Sequence, residues 1–465
     1  MTVADRRKRD ALPLLLTMFW VAGLPVFLLF GNRLLASVSV LKADRVTYLL
    51  AAAPVVIGVL RGSRLLQPLG RVEKAMLAYL AVILVSWATT LPGKDLAGFK
   101  QDADFILTCF VMPYSAFVIA RNTEWTSERL TACLWVLVAG VGGYLLIFGT
   151  VQYAYDWNFL VPRPLWDVLP DRARGPFENA VPFGIVLSIL VVLALFLYLQ
   201  ARGRLARWTL VAIAVGLVQC IVASKTRAVW IALPLALLRL FVRYRRIRLL
   251  AGVLTAAVVI QVLLAPAVGV DPLGLEDRLT QVQQVYDRVA VSATASNMAE
   301  HRPVFGFGFG SQTFQDDKAD YYAAWGGVSP QAAAYPNNPH NDFLNVVVLM
   351  GVLGLIPFVA LLWTSWQLLG STAVRWQHSN PFTSQLARFT QSVFVILIVA
   401  GQFHAVMYMS YPQVLFFFLL GIVASGPPAS DWAAVDRCVP QATNAAVDWV
   451  VPAGGATTIA AGGER

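Results

Sequence analysis

His340 is the titratable residue best placed to do chemistry in this chain. It stands in Pro339-His340-Asn341-Asp342-Phe343-Leu344, where a polar stretch passes into an apolar run that reads as helix to about Leu369. Asn338 suits an N-cap and Pro339 the first helical position, which puts His340 in the first turn. The free N–H groups and partial positive charge of a helix start attract anions and disfavour protonation of a nearby imidazole. A neutral His beside an anion site is what a general base acting on a phosphate-activated substrate needs. A solvated cap residue is the plainer alternative.

Basic residues supply the matching charge. Arg172 and Arg174 lie in the Asp171–Asn179 segment, just before an apolar run. Lys225 and Arg227 lie in Ser224-Lys225-Thr226-Arg227-Ala228-Val229-Trp230, a turn too short to leave the helix ends it joins. Arg288 sits where Leu275, Leu279, Val282, Val285 and Val289 recur at helical spacing, an amphipathic helix lying on the bilayer, capping a cavity or packing on the bundle. Guanidinium groups grip phosphate bidentately and keep their charge. Interfacial snorkelling is the alternative, and it is preferred for Arg33 and Arg163.

Other polar features carry less. Gly306, Gly308 and Gly310 alternate with phenylalanine without the Lys-Ser/Thr of a phosphate loop, so close backbone approach is the preferred reading. His404 and Tyr408 are four apart and share a helix face if the span there continues, lining a cavity or forming a structural cluster with Gln402 and Tyr411. No pair among Cys109, Cys133, Cys220 and Cys438 has metal-ligand spacing.

The elements that must position these residues cross a membrane. The 465 residues are 58% hydrophobic and only 13% charged, against roughly 25% in soluble domains; the mean hydropathy is +0.64. Spans of about 20 residues are expected, here at 13–30, 46–60, 75–91, 104–120, 130–150, 181–199, 208–223, 228–242, 249–268, 341–369, 390–408 and 411–426. The expectation is an all-α polytopic membrane protein of about twelve transmembrane helices. The first span reads as a signal anchor, without a cleavage site. Most of the 36 basic residues fall at the N-terminus and in alternate short loops, which makes that side cytoplasmic, with both termini inside and the net charge of +10 mainly topological. Basic residues so dispersed form no nucleic-acid-binding face. The expected organisation is helices 1–9 over 1–269 with an outer loop near 153–180, a large outer, partly helical loop over 270–338, helices 10–12 over 339–426, and a tail over 427–465. His340, Arg227, Arg288, Arg172 and Arg174 all fall at the outer face.

Three blocks resemble the O-antigen ligase and polymerase superfamily of bacterial surface-polysaccharide enzymes: the Ser224–Trp230 turn, His301-Arg302-Pro303-Val304-Phe305-Gly306-Phe307-Gly308, and Pro339–Leu344 followed by Gly351 and Gly354. The Arg172–Asn179 segment is similar to a fourth. Arg302 departs from the family pattern, and a usual Trp after Arg288 is missing. The resemblance implies a GT-C-like glycosyltransferase architecture in the bacterial inner membrane with a periplasmic active site. It implies a lipopolysaccharide-biosynthesis reaction in which a glycan passes from undecaprenyl pyrophosphate to lipid A–core, inverting and metal-independent, without cofactor. His340 is then the general base, Arg227 and Arg288 are catalytic, and Arg174, Lys225, Arg302 and Asn341 are expected to bind substrate. O-antigen polymerase and protein O-oligosaccharyltransferase are the near alternatives. A secondary transporter is the remote one, since the charges gather at one face and not at midplane.

Overall fold

The computed structural model describes residues 13–27, 42–60, 66–156, 159, 172–177, 179–250, 252, 283–322 and 338–427, and among these it is helical without strands. The helices are α1 (Pro13–Phe27), α2 (Ala43–Leu60), α3 (Arg71–Thr90), α4 (Leu96–Arg121), α5 (Ser127–Ala154), α6 (Ala180–Gln200), α7 (Arg204–Ala223) and α8 (Arg227–Arg243). They continue with α9 (Gln283–His301), α10 (Thr313–Asp317), α11 (Asp342–Arg375), α12 (Pro381–Gly401) and α13 (Ser410–Ala424). Eight are long and apolar enough to cross a membrane, namely α2 to α7, α11 and α12, while α1 and α13 are shorter apolar helices. The predicted ninth span, 249–268, lies almost wholly outside the described residues; each of the other predicted spans overlaps a described helix. The tail over 428–465 also lies outside them.

α6 is the centre of the bundle. Its residues are apolar on every face, and 94% of its spanning window is buried, as a helix surrounded by others requires. It packs on α7 and α12; α11 packs on α3 and α12, and α13 on the second half of α4. Gly421 of α13 faces the Phe117 carbonyl so closely that a Cβ would strike it, the small-residue contact that lets membrane helices approach.

Sharp caps set the ends that matter. Asn179 accepts the Val181 N–H at 3.0 Å, Asn341 that of Leu344 at 3.0 Å, and Asn380 that of Thr383 at 2.9 Å. α11 therefore starts at Asp342, later than expected, and His340 lies just before the helix and not in its first turn. The Asn338 side chain, expected as the cap, accepts the His340 N–H at 3.0 Å instead. The expected span 390–408 also ends early, at Gly401, and the chain turns through a short 3-10 segment (Val406–Tyr408) before α13. His404 and Tyr408 accordingly share no helix face. The predicted amphipathic helix is seen from Gln283 and runs on to His301, while Leu275, Leu279 and Val282 lie outside the described residues.

α11 is broken at Gly351, whose φ of 61° and ψ of −159° interrupt the ladder. The Pro303–Gly308 segment repairs the break. Phe307 and Gly308 donate their N–H groups to the Val348 and Leu349 carbonyls, both at 2.9 Å. Val352 and Leu353 in turn donate to the Pro303 and Val304 carbonyls, at 2.8 and 3.3 Å. Non-helical backbone inside a membrane protein is tolerable when its polar groups are satisfied in this way. The glycines of the Gly-Phe alternation thus serve close approach to a helix: a Cβ on Gly306 would collide with the Leu349 and Met350 backbone.

Candidate active site

The site is built at one end of the bundle, from three connections between helices. In the first, before α6, the buried Gln152 of α5 folds the chain around its amide. Its Oε1 accepts the N–H groups of Arg174 and Gly175, both at 2.8 Å, and its Nε2 donates to the Gly175 carbonyl at 2.9 Å. The Arg172 guanidinium then reaches the second connection, between α7 and α8. It donates from Nε to the Ser224 carbonyl at 2.9 Å and from Nη2 to the Thr226 hydroxyl at 3.0 Å.

That second turn holds Lys225 in the left-handed region at φ 48°. Arg227 follows as the first residue of α8. A cation at a helix N-terminus opposes the helix dipole, so its presence there needs another reason. The Arg227 Nη2 is buried and lacks a hydrogen-bond partner among the described residues. A buried donor of this kind calls for an acceptor, which a bound anion would supply.

The third connection joins α12 to α13 and lies against the start of α11. Asn341 donates from Nδ2 to the Gln402 carbonyl at 3.1 Å, and the Asp342 carboxyl accepts the Met407 N–H at 3.0 Å. Between these anchors His404 meets His340 edge to face, with ring centroids 5.9 Å apart at 82°. Both rings line an open cavity of about 490 Å³, together with Tyr408, Asn179, Phe177 and Tyr411. Among the described residues only Lys225 and His340 (φ 54°) are non-glycine residues in the left-handed region, and both belong to this site. Strain held at such positions is characteristic of functional sites.

The electrostatics keep both imidazoles neutral. Burial, and after it the positive charge of Arg288, lowers the His340 pKa to about 4. His404 is held well below the ordinary value by burial, then by Arg288, His340 and Arg172. Loss of water and then the Arg227 charge lower the Arg288 guanidinium from its usual value, although part of that side chain remains exposed. Arg288 therefore links the cluster: Arg227 acts on it, it acts on both imidazoles, and Arg172 acts on His404. The cluster's potential is positive and its imidazoles are unprotonated, a combination that binds an anion and accepts a proton beside it.

The remaining expected site residues are placed as follows. Lys225 and Arg174 are buried in the two connections around Arg172. Asn341 is engaged at both ends of its amide, capping α11 and holding Gln402, so it positions the site. Arg302 is exposed and lies over the Phe307 ring, 4.6 Å from its centroid, and does not line the His340 cavity. Among the described residues no three His, Cys, Asp or Glu side chains are grouped as a metal ion would require. The sequence reading missed Gln152, whose signal was a lone amide in an apolar run, and left His404 outside the catalytic set.

A search of curated proteins finds no match to the chain. A family match does exist, and its extent follows the geometry: it begins within α7 and ends within α11, taking in the Arg227 turn, α9 with Arg288, the glycine segment that mends α11, and His340. Residues 212–359 of this membrane protein match the family model described as O-antigen ligase, Wzy_C.

Proposed function

We propose that the chain is a glycosyltransferase that passes a glycan from undecaprenyl pyrophosphate to lipid A–core at the periplasmic face of the bacterial inner membrane. The observation that carries the reading is the cluster itself: two imidazoles line one cavity at one end of a membrane bundle, Arg288 acts on both, Arg172 acts on His404, and Arg227 acts on Arg288. The basic loops at the opposite end support the periplasmic assignment.

In this reading the diphosphate of the donor lies against Arg227, whose buried Nη2 gains its acceptor. His340 takes the proton of the acceptor hydroxyl as its oxygen attacks the anomeric carbon. The bond from that carbon to the phosphate oxygen breaks, and the electron pair leaves with the diphosphate. Attack from the opposite face inverts the anomeric centre. Fixed guanidiniums stabilise the charge that develops on the leaving group, with little reorganisation at the moment of reaction. Arg174 and Lys225 hold the shape of the clamp, and Arg302 meets the glycan outside the cavity.

The test is transfer by the purified protein in a bilayer, supplied with a lipid-linked glycan and lipid A–core. His340→Ala should lower the rate on the order of a hundredfold or more while the protein still inserts and unfolds normally. Full transfer by that variant would remove the base assignment. Extension of a second lipid-linked glycan in place of lipid A–core would identify a polymerase.

A further inference from the structure

The reaction just described leaves one imidazole without a task. His404 lines the same cavity as His340 and lies 5.9 Å from it, ring centroid to ring centroid. No hydrogen bond engages the ring nitrogens of either residue among the described residues. The backbone on both sides of His404 is fastened to the start of α11, through Asn341 to Gln402 and through Asp342 to Met407. A turn held this firmly beside the base is preorganised for a purpose.

The two rings also face different charges. Arg288 acts on both, but of the pair only His404 feels Arg172. Arg172 is hydrogen-bonded to the turn that carries Arg227. His404 therefore lies beside the base and feels the arginine that is tied to the clamp. The groups that face it are Arg288 from α9, Arg172 from the connection before α6, His340 from the start of α11 and Tyr408 from its own turn; the Asp342 carboxyl is turned to the Met407 N–H.

We propose that His404 carries the acceptor's proton from His340 to the departing diphosphate. The inference rests on the function proposed above. As the new glycosidic bond forms and the anomeric carbon–oxygen bond to phosphate breaks, the acceptor hydroxyl gives its proton to His340. The proton passes through one water to His404 and then to an oxygen of the diphosphate. Both imidazoles end neutral, and the proton leaves on the product. Without the relay an imidazolium would be left at His340, in a buried place beside Arg288, where positive charge is disfavoured.

The experiment is single-turnover transfer by the full chain in lipid nanodiscs, in mixtures of H2O and D2O, for the native protein, His404→Gln and His404→Asn. Both variants should keep the native unfolding temperature and the donor KM, with kcat lowered about a hundredfold. The dependence of rate on deuterium fraction should change from curved, with two protons in flight, to linear. A native kcat in His404→Gln overturns the relay, as does a slowed variant that keeps the curved dependence, which would mark His404 as a positioning residue only. An active His340→Ala protein would instead overturn the underlying reaction, so the two failures are distinguishable.

Discussion

The carboxyl of Asp342 accepts the backbone N–H of Met407 at 3.0 Å and so fastens the first residue of α11 to the turn that carries His404. Asn341 makes the companion tie to Gln402. Gly401 lies so close to Asp342 that a Cβ there would strike the carboxyl. Neither imidazole is held by its own ring nitrogens. Each is held by the backbone of its neighbours, which leaves the rings open to substrate.

Asp342→Leu removes that acceptor and leaves the Met407 N–H buried and unpaired. The expected cost is roughly 1–3 kcal/mol, read as a lower unfolding temperature in detergent, with a fall in transfer because the His404 turn loosens. Asp342→Asn keeps an acceptor oxygen and should lie close to the native protein. Equal loss in both variants would argue that the charge of Asp342, and not this hydrogen bond, is what matters.

Arg227 is the sharpest case for a ligand contact, since its Nη2 is buried without a partner among the described residues. Arg227→Lys preserves the charge and abolishes the fork, so transfer should fall on the order of a hundredfold, mainly in kcat. Arg227→Ala should fall further. Unfolding temperature should hold in Arg227→Lys, and hold or rise in Arg227→Ala, because the latter removes a cation from a helix N-terminus. A native rate in Arg227→Lys would show that point charge suffices.

Arg288 contributes to the pH dependence. Burial comes first and its charge second in holding the His340 pKa down to about 4, so removing the charge must raise that pKa toward 6.5. In the native protein the acid limb of kcat/KM is expected near pH 4. In Arg288→Gln it should move upward, so that the variant loses proportionally more activity at pH 5 than at pH 8. A profile measured between pH 4 and 8 that shows the same limb in both proteins would mean that His340 is not the titrating base.

The Arg227 turn and the His340 segment were legible in the sequence because each is local. Three residues between two apolar runs must stay at the helix ends, and an Asn-Pro-His-Asn stretch must open a helix. The details that failed depend on contacts distant in sequence. Asn338 and Asn341 are both competent caps, and spacing alone does not say that Asn338 binds His340 while Asn341 takes the cap. The apolar periodicity of α12 continues past Gly401, so His404 and Tyr408 read as a helix face. The chain turns there because Asn341 and Asp342, about sixty residues earlier, bind its backbone. The role of Gln152, a lone amide in an apolar run, was hidden for the same reason, since its partners lie over twenty residues on.

The repaired break in α11 gives the last prediction. Gly351 has φ 61°, and a Cβ there would strike the Val304 carbonyl, which is rigid backbone. Gly351→Ala combines left-handed strain of roughly 1–3 kcal/mol with that collision, and it should part the Pro303–Gly308 segment from the helix that carries His340. Gly370→Ala is the control: it lies in the same helix, and a Cβ there meets only the Gln391 amide, at 3.4 Å. The expected result is a large drop in unfolding temperature and in transfer for Gly351→Ala and a small one for Gly370→Ala. Amide exchange should report the cause, with Phe307, Gly308, Val352 and Leu353 losing protection together in Gly351→Ala, because these four N–H groups form the junction. Comparable stability of the two variants would mean that α11 runs through Gly351 as an ordinary helix.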